Sequence, residues 1–116
     1  MRKSFMISAA MLVLLPCAAA AHHGWSSYDT SRRMTIEGPI KHLQWENPHV
    51  RMRLDHEGKE WEIILAPITR MQLRGLSPDM LAHGAMVAAE GYPSTRVGNE
   101  MRAERITLGG KVFEMR

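Results

Sequence analysis

Two neighbouring histidines, His22 and His23, stand where a processed chain would begin, and imidazoles are common ligands of transition metals. If the mature chain starts at Ala21, its amine, two backbone amides and the His23 ring can form a square-planar set of four nitrogens. If it starts at His22, the amine and ring of that residue chelate one ion, and His23 or His49 can complete a three-nitrogen brace. Copper(II) and nickel(II) prefer such ligands and geometries. The pattern predicts copper(II) binding that weakens as pH falls through the histidine range. The competing interpretation is a solvated polar arm.

A second candidate site surrounds the turn Asn47-Pro48-His49. Asparagine before proline initiates a turn, so Asn47 has a structural role. His49 begins the next strand and is either a metal ligand or a hydrogen-bond partner of a backbone carbonyl, and the turn chemistry favours the second. Small β-barrels often bind sugars or bases on exposed aromatic rings. We therefore predict a ligand- or partner-binding surface at Trp25, Trp45, Asn47, Arg51 and Arg53.

Other chemically suggestive residues are better explained by packing or by surface charge. The methionines after residue 22 are scattered, so we expect most of them to fill gaps in the core, although thioethers suit copper(I). Glu60 and Glu62 lie about 6.7 Å apart on one face of a predicted strand, a spacing compatible with glycoside hydrolysis. Their predicted partners, Asp55 and Arg53, place them on a solvated face instead. Since no nucleophile elbow, zinc-protease motif, phosphate loop or dinucleotide fingerprint occurs, we expect a binding protein and not an enzyme.

The first residues have the order of a secretory signal peptide. A basic start precedes an apolar run that Pro16 ends, and small residues follow at the spacing that a signal peptidase recognises. The apolar run is too short to span a bilayer. We predict a cleaved signal peptide at 1–21, with the cut after Ala20 or Ala21, and a periplasmic location. A lipoprotein cut before Cys17 is disfavoured because Pro16 is bulky and rigid.

Removal of residues 1–21 changes the charge and the chemistry available. Of the 116 residues 95 remain, enough for one small domain, and 13 basic residues face 12 acidic ones for a net charge of +1. The +3 of the full chain overstates this balance, and no electrostatic case for nucleic-acid binding remains. Cys17 is lost too, which excludes disulfides and thiolate chemistry. The sequence has no second apolar stretch of transmembrane length, so no membrane-spanning segment is expected after cleavage. The expected partner is another periplasmic protein or a small ligand.

The clearest predicted element is a hairpin of residues 49–55 and 59–65 with Glu57-Gly58 at its turn. One face of this hairpin is apolar, through the pairs Val50 with Leu65, Met52 with Ile63, and Leu54 with Trp61. A slip of one residue would turn these side chains to water, so the register is well determined and Trp61 is a core residue. On the other face, Arg53 is expected to form an exposed ion pair with Glu62.

Flanking segments complete the prediction of secondary structure. Residues 22–33 are expected to form an extended N-terminal arm, and residues 34–45 a long first strand bent at Gly38. Further strands are predicted at 85–92, 100–108 and 111–115.

A helical connection is predicted after the hairpin. Residues 66–76 have helical spacing, and Ser77 before Pro78 is typical of a capped helix start, with Gly84 as its end. Three strands, a helical connection and two or three further strands are the order of an oligonucleotide/oligosaccharide-binding (OB) barrel. The predicted fold class is mainly β: a five- to six-stranded OB-like barrel formed by residues 34–116 as a single domain, with the helical connection between strands three and four. Another half-open barrel or a sandwich is the alternative.

Five motifs are spread over the mature chain: Ala21-His22-His23-Gly24-Trp25-Ser26, Glu37-Gly38-Pro39-Ile40, Trp45-Glu46-Asn47-Pro48-His49, Trp61 and Arg74-Gly75-Leu76. This set resembles a family of small secreted bacterial proteins of unknown function, with the His-His start and the Trp-x-Asn-Pro-His block as its most specific parts. The resemblance implies an exported, single-domain, β-rich protein. It implies no activity and no catalytic residue.

Overall fold

Six β-strands, one α-helix and two 3₁₀ turns make up residues 24–116, the part of the chain that the computed structural model describes. In chain order they are a 3₁₀ turn at Trp25–Ser27, β1 at Met34–Gln44, β2 at Arg51–His56, β3 at Lys59–Ile64, α1 at Ile68–Leu73, a second 3₁₀ turn at Pro78–Leu81, β4 at Met86–Pro93, β5 at Glu100–Leu108 and β6 at Lys111–Glu114. Within this range no helix is both long and apolar enough to cross a membrane.

Five of the strands close into a barrel. The sheet has the order β3-β2-β1-β4-β5-β6, and β3 also pairs in parallel with β5, which joins the two sides. β6 pairs with β5 as an additional strand outside the closed ring. The helical connection leads from β3 to β4. The prediction of a mainly β, OB-like barrel with a helical connection between strands three and four is confirmed.

The first strand is long enough to serve two neighbours. Its first half, through Pro39, pairs with β4, and its second half, from Ile40, pairs with β2. The pairing with β2 shifts register between Ile40 and His42. At Gly38 a Cβ atom would lie 2.8 Å from the carbonyl oxygen of Asp55, so glycine allows β1 and β2 to approach closely there. Gly38 thus lies near the point where β1 passes from one partner to the other, and the irregularity of the strand falls after it, between Ile40 and His42.

The β2–β3 hairpin has the predicted register. Met52 lies opposite Ile63 and Leu54 opposite Trp61, and the turn residues Glu57 and Gly58 both have positive φ. Both central residues of a type I′ turn need positive φ, and this turn matches the right-handed twist of a hairpin.

The ion pairs on the outer face of the hairpin are diagonal, which corrects the predicted pair of Arg53 with Glu62. Arg53 lies opposite Glu62 in the backbone register, but its guanidinium pairs with Glu60 at 3.3 Å. Arg51 pairs with Glu62 at 3.2 Å. Long side chains reach diagonal neighbours across a twisted pair of strands, so backbone opposition did not decide the partner.

The helical connection is shorter than the predicted span of residues 66–76. Ala66 is buried in the core and the helix begins only after Pro67. The predicted side-chain cap by Ser77 is wrong: its carbonyl oxygen accepts the N–H of Met80 at 3.2 Å, which gives a 3₁₀ turn with no side-chain cap. Gly84 adopts φ +88°, the predicted left-handed end.

Part of the segment predicted as an extended N-terminal arm, residues 25–29, lies against the barrel and includes a 3₁₀ turn. Tyr28 forms a bridge with Ser94, and the N–H of Asp29 donates to the carbonyl of Pro93 at 2.9 Å. The preceding 3₁₀ turn places Trp25 in edge-to-face contact with Tyr28 and Tyr92. Burial of these rings outweighs the weak local preference for an extended chain.

The interior of the barrel is apolar. Alternate residues of the strands and the buried face of α1 supply it, and Met52, Met71 and Met101 are fully buried. Trp61 packs against this core, as predicted, and so does Trp45. The outer ends of the strands and the loops between them are therefore the places where a binding site can form.

Candidate functional site

A cleft of about 270 Å³ lies at one end of the barrel. The β1–β2 loop contributes one wall through Pro48 and His49, and the β4–β5 loop contributes another through Arg96 and Val97. The N-terminal segment supplies Gly24, Ser27 and Tyr28, and the strands supply Arg51, Ile64, Glu100 and Arg102. In OB barrels the face of strands two and three and the loops that follow strands one and four form the usual binding region.

The floor of the cleft is a row of three residues across three strands. Arg51 of β2 lies opposite Ile64 of β3, which in turn lies opposite Arg102 of β5. Paired residues on adjacent strands point to the same face, and two strand spacings separate the outer members by about 10 Å. The two arginines therefore stand on either side of a buried isoleucine.

The guanidinium of Arg102 lies against two aromatic rings and the imidazole of His49. Its Cζ atom lies 4.5 Å from the centroid of the Trp25 ring and 6.0 Å from that of Tyr28. Its Nη2 atom lies 3.4 Å from Nε2 of His49. Since a guanidinium has no acceptor, the imidazole nitrogen is the acceptor of this contact. Burial has the largest effect and lowers the pKa of Arg102. Tyr28 opposes this shift, and the positive charges of Arg116 and Arg70 add to it.

Trp25 organises a second guanidinium beside the first. The Cζ atom of Arg116 lies 4.1 Å from the centroid of its ring. Two cations therefore contact one indole, an arrangement stabilised by the negative face of the aromatic ring. Contact with both arginines makes Trp25 a support for charged side chains at the edge of the cleft.

Tyr28 and Glu100 form a polar pair in the wall of the cleft. The Tyr28 hydroxyl donates to Oε2 of Glu100 at 3.1 Å. Burial, with the charge and the hydrogen bond of Glu100, raises the pKa of Tyr28 to about 12. The nearby charges of Arg102 and Arg51 oppose that rise without cancelling it. The hydroxyl therefore stays protonated at neutral pH and remains a donor to the carboxylate.

The β4–β5 loop presents Arg96 at the mouth of the cleft. The Ser94 side-chain oxygen accepts the N–H groups of Arg96 and Val97 at 3.1 and 3.0 Å, which fixes the start of the loop. Arg96 is exposed, and among residues 24–116 its guanidinium forms no ion pair.

The residues predicted as a ligand or partner surface are divided by the structure. Arg51 lines the cleft, and Trp25 supports it from the side. Trp45 is half-buried against the core. Asn47 Oδ1 accepts the N–H of Ile68 at 3.1 Å and so satisfies the first turn of α1.

Arg53 belongs to a separate exposed network. Its partner Glu60 also binds Lys41, whose Nζ lies 3.1 Å from Oε2 of that carboxylate. The lysine also lies 3.4 Å from Asp55. The charges of Lys41 and Arg53 lower the pKa of Glu60, the hydrogen bond from the lysine having the largest effect. Glu60 is therefore a carboxylate held in its ionised form on an exposed surface.

Of the predicted metal ligands, His49 lies in the cleft and His22 and His23 lie outside the described residues. Gly24, the next residue in the chain, lines the same cleft as His49. Within residues 24–116 no group of three or more histidine, cysteine, aspartate or glutamate side chains is arranged to hold a metal ion.

Sequence reasoning missed Arg96, Arg102, Glu100 and Tyr28. The OB order of elements contained a usable signal, because it predicts that the loops after strands one and four meet at one end. Applied to this chain, that rule brings His49 and Arg96 together. The position of Arg102 needs the parallel register of β3 and β5, which no local pattern encodes.

Solved structures share the architecture of this chain. The crystal structure of the ZRD-deleted mutant of TiaS in complex with agmatine matches with 17% identity and a TM-score of 0.54, over 75% of this chain and 27% of that one. The crystal structure of TiaS in complex with tRNA and ATP matches with 17% identity and a TM-score of 0.52, over 70% of this chain and 19% of that one. This chain thus spans less than a third of the proteins it matches, and the likeness concerns the fold.

Comparisons at the level of sequence identify a family. No curated protein matches the chain. The sequence profile of a family described as a family of unknown function (DUF6152) matches residues 10–105.

Proposed function

The chain belongs to the DUF6152 family of unknown function, and from its own residues we propose that it is an exported binding protein that holds copper(II) at its mature N-terminus. The signal peptide within residues 1–21 directs it to the periplasm, and cleavage exposes the nitrogen donors. The protein is a binding protein and not an enzyme. The metal is held by the terminal amine, backbone amides and the ring of His23.

The observation that carries this proposal is the sequence Ala21-His22-His23 directly before the exposed Gly24. Gly24 is exposed, and no atom of residues 24–116 lies within 4 Å of a Cβ atom placed on it. A metal site formed by the chain terminus needs room for the ion and backbone amides that are free to bind it. It does not need a cavity formed in advance by the fold. The exposure of Gly24 supports such a site, because the residue that follows the nitrogen donors is open to solvent.

The charge of the cleft supports the four-nitrogen set over the brace that includes His49. In the four-nitrogen set two deprotonated amides balance the charge of copper(II), so the complex is neutral. In the brace the ion keeps its two positive charges, and Arg102 lies 3.4 Å from the His49 ring. A dication beside a guanidinium is electrostatically unfavourable. We therefore propose that the cut follows Ala20 and that His49 is not a ligand.

Native mass spectrometry of protein purified from the periplasm tests this proposal, because it reads the cleavage site and the copper stoichiometry together. We expect a start at Ala21 and one copper(II) ion per chain. His23→Ala abolishes tight binding, whereas His49→Ala and the matched exposed control His42→Ala retain it. Binding weakens as pH falls through the histidine range. Equal copper binding by wild type and His23→Ala would refute the proposal, and loss on His49→Ala would favour the brace.

A second candidate function is an interaction module for a periplasmic protein or a glycan. The position of the cleft between the β1–β2 and β4–β5 loops favours it, since OB barrels bind oligosaccharides there. This candidate predicts binding that does not depend on copper. An oligosaccharide array probed with the chelator-treated protein tests it, with Arg51→Ala as the variant and Arg53→Ala as the control. Selective loss on Arg51→Ala supports the candidate, and equal loss in both variants contradicts it.

A further inference from the structure

We propose that the cleft is a binding site for a small oxyanion, a carboxylate or phosphate group, held by Arg51, Arg96 and Arg102. This inference deepens the view of the chain as a binding protein and is independent of the copper site. It follows from the charge, the geometry and the size of the cleft.

The cleft concentrates positive charge. Three guanidinium groups and one carboxylate line it. The carboxylate, Glu100, already accepts the Tyr28 hydroxyl. Beyond the lining, Arg70 and Arg116 are close enough to act on Arg102 electrostatically. The full chain has a formal charge of only +3, so this end of the barrel is far more basic than the chain as a whole. A bound anion relieves the repulsion among these groups.

The arginines are arranged for a ligand between them. Arg51 and Arg102 flank Ile64 on one face, about 10 Å apart at their backbones, and Arg96 stands on the loop above. Arg51 uses one nitrogen, Nη1, for Glu62. A guanidinium carries five N–H donors in a rigid fork, so this contact leaves donors for an oxyanion.

Arg102 is also preorganised. The Trp25 ring and the β5 backbone restrict its side chain, which is partly buried. The Arg102 guanidinium is already partly desolvated in the folded protein, so anion binding adds little further desolvation of this group. A charge-assisted hydrogen bond from it to an anion is strong in such surroundings. Preorganisation of this kind raises affinity because less ordering is needed on binding.

The size of the cleft selects a small ligand or a single group of a larger one. At about 270 Å³ it is slightly smaller than the usual range of sites for drug-sized molecules. A nucleic acid would need an extended basic surface, and the near-neutral mature chain lacks the charge for one. The occupant is therefore a small carboxylate or phosphate compound, and the two sources are separated by the probes used below.

Titration with sodium phosphate and with sodium citrate, monitored by ¹H–¹⁵N NMR, tests the inference. The exported, chelator-treated protein is used, and sodium chloride at matched ionic strength is the reference. We expect saturable shifts of amides in residues 94–102 and of the arginine side-chain N–H groups. Saturation with phosphate alone or with citrate alone supports the inference and identifies the source. The inference would be overturned if phosphate and citrate both gave only the shifts that sodium chloride gives at the same ionic strength.

Variants locate the site. Arg51→Gln and Arg96→Gln should each weaken anion binding by about tenfold, the loss typical of one charge-assisted contact. Arg53→Gln is the matched control, because Arg53 lies two residues along the same strand and outside the cleft. Arg96 is exposed on a loop, so its variant keeps the test valid if Arg51→Gln does not fold. Equal weakening by Arg53→Gln would contradict the proposed site.

The copper-site variant separates this inference from the proposed function. His23→Ala should bind phosphate or citrate as the wild type does, while it loses tight copper(II) binding. Anion binding without copper binding refutes only the copper proposal. Copper binding without anion binding refutes only the oxyanion site.

Discussion

Arg102 shows how one residue links the fold to the candidate site. Its backbone pairs with Ile64 and Tyr92 on the two neighbouring strands, and its side chain lies over the Trp25 ring. The same guanidinium contacts His49 from the β1–β2 loop. Arg102 therefore contacts β3, β4, the N-terminal segment and the β1–β2 loop. A change in any of these elements should alter the environment of its guanidinium.

Tyr28 provides a pH test of the cleft wall. Its pKa is raised from 10.0 to about 12, mainly by burial and then by Glu100. A phenol with a higher pKa in the folded state gives stability that is fully present below pH 10 and is lost as pH rises towards 12. In Tyr92→Phe, where Tyr28 is the remaining tyrosine, ultraviolet difference absorbance should show phenolate formation near pH 12.

The Glu100→Gln variant, made in the same background, is the control for this titration. This substitution removes the negative charge that favours the neutral phenol and leaves a neutral amide oxygen as the acceptor, so the pKa of Tyr28 should fall below about 12 while burial keeps it above 10.0. Ionisation of Tyr28 near pH 10 in the Tyr92→Phe parent would contradict the burial and the Glu100 contact.

At the level of strands, close backbone contacts determine how the barrel closes. β4 and β5 shift register between Glu90 and Gly91. A Cβ atom at Gly91 would lie 1.9 Å from the carbonyl oxygen of Arg102 and 2.8 Å from its carbonyl carbon. Glycine is therefore required at this bulge, since neither contact can be relieved by a side-chain rotation. The same contact sets the backbone position of a cleft arginine.

Gly91→Ala should destabilise the protein by about 1–3 kcal/mol, the range for overpacking against atoms that cannot move freely. Gly98→Ala is the matched control in the β4–β5 loop, because no atom of the described part of the chain lies within 4 Å of a Cβ atom there. Its expected effect is within about 0.5 kcal/mol. Urea unfolding midpoints at constant m-value measure both. Equal stability of the two variants would show that the bulge tolerates a side chain.

For the whole domain, closure of the barrel makes the strands of residues 24–116 share one apolar core. Residues from both sides of the β3–β5 seam belong to the same buried cluster, among them Ile63 and Met101. Small domains with one core usually unfold in a single cooperative transition. We expect the same for this protein, because no described strand has a separate core of its own.

Ile106→Ala tests that cooperativity. Ile106 is fully buried between β4 and β6, and its truncation should cost about 2–5 kcal/mol. Tryptophan fluorescence and far-ultraviolet circular dichroism should give coincident urea transitions in the wild type and in the variant. Val112→Ala, at a side chain that is 53% exposed, should change stability by about 0.5 kcal/mol or less. Separate transitions for the two probes would indicate independently folding parts.

Much of the fold was predictable because it is encoded locally. The β2–β3 register follows from alternating apolar residues, since a slip would expose Leu54 and Met52 to water. The left-handed Gly84 follows from the backbone preferences of glycine, and the close approach of β1 and β2 at Gly38 follows from its lack of a Cβ atom. The length of α1 was less predictable, because burial of Ala66 in the barrel overrode its helical spacing.

The candidate site was predictable only in part. Arg51 and His49 were recognised from the β1–β2 turn and its flanking strand, and both line the cleft. Arg53 looked equivalent to Arg51 in the strand pattern, yet it joins the network of Lys41 and Glu60 instead. Whether an arginine of β2 lines the cleft or joins the exposed network depends on which neighbours the twist of the sheet brings within reach. The alternation of residues along the strand does not predict this.

Local patterns in the chain are enough to specify the strands, the hairpin register, the apolar core and the order of elements that makes an OB-like barrel, because these depend on near neighbours and on the alternation of side chains. Which charges meet depends instead on the folded barrel. Arg51 and Arg102 are far apart in the chain, and the parallel pairing of β3 with β5 brings them to one cleft. The packing of the N-terminal segment places Trp25 against Arg102. Local sequence patterns cannot predict these contacts, because they form only when the barrel closes. The register of that closure depends on the pairing of all the strands together.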